Sequence, residues 1–195
     1  MDEKELIQMQ LFKKNAINKR TIMIYDEITS ETANMVAELM TSIKELDDFK
    51  KVPKEKRTII FEISSGGGSC YSGYYICSLI EKWRTEYGYT IITRCTEVCA
   101  SMASVIFIMG DIREMSLYSD IMIHQPLMNG QGIENLTETE DRADMLYRMW
   151  DRMKKIFLER TNVSSIILED IKRCKKDRYF SFNECMNLGI ATKLL

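Results

Sequence analysis

The chain carries one histidine, His124, where the apolar run Ile121-Met122-Ile123 gives way to Gln125-Pro126. An imidazole titrates near neutrality and can take or give a proton, so a histidine base in this protein must be His124; the plainer alternative is a structural or surface ring. Ser101 lies in Cys99-Ala100-Ser101-Met102-Ala103, small residues between a strand pattern and a helix pattern. A serine there is either an N-cap or a nucleophile beside the free amides of a first helical turn, activated when a neighbouring base takes its proton. The run Ser64-Ser65-Gly66-Gly67-Gly68-Ser69 can bring backbone close to a ligand and offer amides to an anion or a developing oxyanion, or it is a plain tight turn. Two nucleotide readings fail: Tyr71 stands where the dinucleotide fingerprint needs glycine, and Tyr74 where a Walker loop needs lysine. The hydrolase elbow G-x-S-x-G is also absent. Asp177, in Lys176-Asp177-Arg178-Tyr179-Phe180, is by itself one solvated carboxylate among many.

Alternating strands and helices must position these residues. Thr21 to Tyr25, Thr58 to Ile63 and Thr90 to Thr93 read as strands, with Glu114 to Leu117 and Ile121 to His124 as shorter ones. Ala33, Val36, Ala37, Met40 and Ile43 recur at helical spacing after the cap candidates Thr29 and Ser30. A second helix begins around Tyr74 and ends before Gly88, and a third spans Ser101 to Met109. Thr137 with Glu140 makes a capping-box pattern opening the longest helix, to about Arg160, with Met145, Met149, Met153 and Ile156 on one face. Such a stripe needs an apolar partner, within the subunit or across an interface. A short helix at Ser165 to Lys172, a capping box at Ser181 and Glu184, and a strand at Ile190 to Leu194 complete the pattern. Strand-helix units with short connections predict an α/β fold with a largely parallel central sheet, because parallel neighbours need crossovers.

Composition narrows the function. The 195 residues suit one compact unit, and 45% hydrophobic side chains with only 9 Gly and 2 Pro can supply a core. A net charge of −2 offers no general attraction for nucleic acid or an anionic membrane. The longest apolar runs fall far short of the ~20 residues that span a bilayer. The start, Met-Asp-Glu-Lys-Glu, does not read as a secretory leader, so a cytoplasmic setting with reduced thiols is expected for the six cysteines. One histidine, and Cys95/Cys99 spacing that is not C-x-x-C, predict no structural metal.

Taken in order, the Gly-rich turn, Ala100-Ser101-Met102, Met122-Ile123-His124-Gln125-Pro126-Leu127 and Asp177-Arg178-Tyr179-Phe180-Ser181 resemble the motifs of the proteolytic subunit of Clp serine proteases (ClpP). The resemblance runs from about Lys19 to Leu195, closing with Asn187-Leu188-Gly189-Ile190. It implies a ClpP/crotonase-like fold with a protruding handle helix, a peptidase domain at 19–195, and an N-terminal segment at 1–18 in the position of an axial gate. It assigns Ser101 as nucleophile, His124 as general base, Asp177 as orienting acid, the amides of Gly68 and Met102 as the oxyanion hole, and Arg178 as an oligomer contact. The implied protein is a serine endopeptidase that cleaves unfolded polypeptides inside two stacked heptameric rings. It needs no cofactor of its own, and ATP acts only through an AAA+ unfoldase partner. The chain departs from the family at Ser64-Ser65-Gly66, Glu97-Val98 and Ala103-Ser104, and at Glu62, where an unfoldase-docking aromatic is common. Two rivals use the same fold: an inactive ring component, and an acyl-CoA enzyme with Gly68 as oxyanion donor.

Overall fold

The computed structural model describes residues 3–128, 132 and 135–195. Helix α1 (Glu3–Lys19) precedes strand β1 (Thr21–Ile24), α2 (Ser30–Phe49), β2 (Thr58–Ser65), α3 (Cys70–Thr85) and β3 (Thr90–Ala100). Then come α4 (Met102–Ile108), β4 (Ile112–Met115), β5 (Asp120–Ile123), α5 (Leu136–Arg160), α6 (Ser165–Cys174), β6 (Arg178–Ser181), α7 (Phe182–Asn187) and β7 (Lys193–Leu194). One sheet joins the strands in the order β1-β2-β3-β4-β7, with β5 pairing β3 and β6. Every pairing is parallel except β5 with β6, as expected for strands joined by helical crossovers.

The sheet divides at β3. Residues 92–95 of that strand pair with β4, whereas 98–100 pair with β5. Between these stretches β2 advances from Ile63 to Ser65 while β3 advances from Cys95 to Cys99, so β3 carries a bulge. A bulge bends its strand, and here it turns the end of β3 toward β5, which carries the chain to His124. Helix α4, buried along its whole length, leaves β3 directly into the core. Thr93 donates to the Phe107 carbonyl and ties that helix back to the sheet.

The long helix α5 buries Met149, Trp150, Met153 and Phe157, all in its C-terminal half, and its other end projects from the core. Much of the methionine stripe therefore finds its apolar partner within the subunit. Tyr71 and Tyr74, the residues that spoil the nucleotide motifs, bind this helix: their hydroxyls donate to the Met145 sulfur and the Met149 carbonyl. At the far end, buried Arg113 donates to the carbonyls of Gly110, Arg160, Gly189 and Ile190, pinning α5 to the turn before β7. Among the described residues no helix is long and apolar enough to cross a membrane.

Several expected boundaries move. The α5 capping box is Asn135 with Glu138, not Thr137 with Glu140, because Asn135 is a strong cap standing first in the chain. The strand expected at Thr90 to Thr93 runs on to Ala100, the one at Glu114 to Leu117 lies at Ile112–Met115, and that at Ile190 to Leu194 shortens to two residues. Helix α1 and strand β6 are additions to the expected set.

Candidate active site

Ser101 sits between the end of β3 and the start of α4 with φ 54° and ψ −125°. A non-glycine residue held there costs about 1–3 kcal/mol and persists only where its surroundings enforce it. Ser101 N–H donates to the Met122 carbonyl (2.9 Å), while the Ser104 N–H and hydroxyl both donate to the Ser101 carbonyl. Although Ser101 occupies the N-cap position, its side chain does not cap α4. Instead the hydroxyl oxygen lies 2.7 Å from His124 Nε2. The N-cap alternative is thereby set aside: the oxygen is placed for proton transfer to the imidazole.

The Gly-rich turn packs against this junction. Gly67 has φ 104°, and a Cβ there would lie 2.6 Å from Ser101 Cβ and 2.9 Å from the Ala100 carbonyl oxygen. Only a residue without a side chain permits that approach. On its other side the turn is bound to Ile28, whose N–H donates to Gly67 and whose carbonyl accepts from Ser69, both at 2.8 Å. By strand alternation the Gly68 N–H points away from Ile28, and it has no backbone acceptor among the described residues. The Met102 N–H, in the first turn of α4, likewise has no acceptor within its helix.

Asp177 is brought to the neighbourhood but not into contact. The β5–β6 ladder ends with Ile123 opposite Arg178, so one further step in register sets His124 opposite Asp177. The Asp177 carboxylate is exposed and makes no hydrogen bond to His124 among the described residues. Arg178 donates to Glu184 within its own chain (3.3 Å) and lies over the Phe180 ring, with its side chain more than half exposed.

Beyond His124, Gln125 and Pro126 form one wall of a cleft of about 540 Å3 between α5 and α6. Its floor is apolar, from Leu146, Tyr147 and Trp150, and lysines stand at its edge. The sequence motifs reach this cleft only at Gln125 and Pro126, since its other walls come from helices distant in the chain. Gly67 was hidden within its glycine run, where nothing but packing tells one glycine from the next.

Two departures from the family motifs account for each other: the Ser64 hydroxyl donates to Glu97 (2.7 Å) across the β2–β3 pair. Glu62 accepts from the Tyr25 hydroxyl, and burial together with that carboxylate pushes the phenol up to about 12. Among the described residues no group of three or more His, Cys, Asp or Glu side chains is placed to hold a metal ion.

A serine at a backbone-strained strand-to-helix junction, bonded to the imidazole and flanked by unspent amides, has the form of a hydrolase site. A family model described as Clp protease matches residues 3–195, and the chain belongs to that family. ATP-dependent Clp protease proteolytic subunit 1 of Prochlorococcus marinus (strain NATL2A) is 31% identical over 178 residues, covering 89% of this chain and 82% of that protein. The subunit 1 of Prochlorococcus marinus (strain MIT 9312) is 30% identical over 183 residues, 92% of this chain and 85% of that protein. The subunit 2 of Synechococcus sp. (strain CC9605) is 27% identical over 182 residues, 92% of this chain and 84% of that protein.

Proposed function

We propose that this chain is a serine endopeptidase and the proteolytic subunit of a Clp protease. The observation that carries the reading is the 2.7 Å contact between the Ser101 hydroxyl and His124 Nε2 at a positive-φ junction. Ser101 Oγ attacks the scissile carbonyl carbon as its proton passes to His124 Nε2; the carbonyl oxygen becomes an oxyanion, received by the Gly68 and Met102 amides. Each such donor contributes roughly 3 kcal/mol of transition-state stabilisation. The carbon–nitrogen bond then breaks, His124 returns its proton to the leaving amine, and water hydrolyses the acyl-enzyme by the same proton route. Asp177 orients the imidazole and balances its charge once its carboxylate closes on Nδ1.

The subunits form two stacked heptameric rings, with the 1–18 segment at the axial gate and Arg178 near the ring contact. An AAA+ unfoldase delivers unfolded polypeptide and supplies the ATP dependence; the peptidase subunit needs no cofactor. One rival is favoured by a specific observation: the unengaged Asp177 suits a ring component that assembles without turnover.

Fluorophosphonate labelling of the native particle, with peptidase rate and particle mass measured on the same chromatographic peak, tests the reading. Labelling and turnover that Ser101→Ala and His124→Ala each abolish are expected. The double variant loses little more than either single one, because the pair acts as a unit. An assembled particle that neither labels nor cleaves refutes the peptidase and leaves the inactive component.

A further inference from the structure

We propose that the cleft between α5 and α6 selects a substrate segment bearing an acidic side chain beside an apolar one. The inference rests on the peptidase reading and adds a substrate preference to it. The cleft opens from Gln125 and Pro126, which directly follow His124, so a peptide held there flanks the reacting carbonyl. Pro126, Leu146, Tyr147 and Trp150 give it an apolar floor.

Charge on the rim is one-sided. The carboxylate that lines the cleft, Glu169, is tied to Lys154, and Arg173 is tied to Asp170 at 2.8 Å. Lys172 and Lys175 also line it, and neither makes an ion pair among the described residues. The Lys172 ammonium is held 4.7 Å from the centroid of the Tyr147 ring, a contact that fixes its position without neutralising its charge. Lys172 also helps hold the Glu169 carboxyl below its ordinary value, but Glu169 is already bonded to Lys154, so an apolar floor beneath Lys172 and Lys175 matches a side chain such as leucine or phenylalanine next to glutamate or aspartate. A basic segment meets like charge there.

Internally quenched peptides test this, alike except for Glu, Gln or Lys at one position moved stepwise along both sides of the scissile bond. All carry C-terminal amides, so the substituted side chain is the sole carboxylate. At low salt one position should show kcat/KM for Glu above Gln by about fivefold, the scale of a single favourable ion pair, with Lys lowest. The preference should shrink at 1 M salt, where charges are screened beyond about 3 Å. Joint replacement Lys172→Ala and Lys175→Ala should equalise Glu and Gln, while Lys172→Glu should favour the Lys peptide. Equal rates for Glu and Gln at every position in an active wild type overturn the proposal. Binding of the same peptides to Ser101→Ala, followed by fluorescence anisotropy, separates the two readings. If wild type cleaves nothing, tighter binding of a Glu peptide sustains the cleft assignment while the peptidase reading fails, and equal binding overturns the cleft assignment as well.

Discussion

His124 and Asp177 stand opposite one another one step past the last pair of the β5–β6 ladder, with no hydrogen bond between them. Residues opposed in an antiparallel pair have Cβ atoms about 4.5–5.5 Å apart, so extending the ladder by one pair would set the Asp177 carboxylate beside the imidazole. Asp177→Asn should then cut kcat by up to about four orders of magnitude, by leaving the ring in the wrong tautomer. The check is turnover at constant particle mass. A variant within twofold of wild type gives the orienting role to another group.

Gly67 and Gly66 form a matched pair. Gly67→Ala drives a Cβ into the Ser101 junction at a positive φ, whereas a Cβ on Gly66 meets nothing within 4 Å. Gly67→Ala should lower unfolding free energy by more than about 1 kcal/mol and suppress labelling of Ser101; Gly66→Ala should do neither. Denaturant titration alongside probe labelling separates lost stability from lost geometry.

Arg178 is paired with Glu184 and more than half exposed, close to Asp177 but without its chemistry, since a guanidinium only donates. If the subunits stack as proposed, Arg178→Ala should lower activity by favouring smaller particles, with recovery as concentration restores the assembly by mass action. Sedimentation and peptidase rate along one concentration series decide it. Lost activity in a fully assembled variant contradicts the coupling.

Glu114 is a buried carboxylate whose stability contribution depends on pH. Burial alone would raise its carboxyl, but hydrogen bonds from Lys193 and Arg94 outweigh that and hold it below the ordinary carboxylate value. A carboxylate lowered on folding contributes stability in full above its unfolded pKa of about 4.3, and that contribution fades as pH falls through the folded value. Glu114→Gln should therefore narrow the gap in melting temperature between pH 7 and pH 3.5. An unchanged gap assigns the acid sensitivity elsewhere.

What could be read from the chain was whatever has a local pattern. The β-branched runs before Gly66 and after Gly88, and the helical spacing from Ala33 to Ile43, located β2, β3 and α2. Ser101 and His124 were found by motif, and the structure brings them together. The bulge between Cys95 and Cys99 escaped because it exists only relative to β2. Strand β6 escaped because of its four residues only Phe180 is buried, and its partner is remote in sequence. Asn135-Leu136-Thr137-Glu138 and Thr137-Glu138-Thr139-Glu140 both fit a capping box, and sequence pattern alone cannot choose between overlapping starts.

The short strand β5 behaves as a caliper. Its Met122 carbonyl grips the Ser101 backbone and, two residues on, the His124 ring grips the Ser101 hydroxyl. Both contacts come from β5 and the residue that directly follows it, so one short span of chain holds the Ser101 backbone and its hydroxyl together. Asp177 lies apart from this span, in the segment that leads into β6. The molecule thus divides a gauge block set by β5 from a separate segment that carries Asp177, and only the first reaches Ser101 directly.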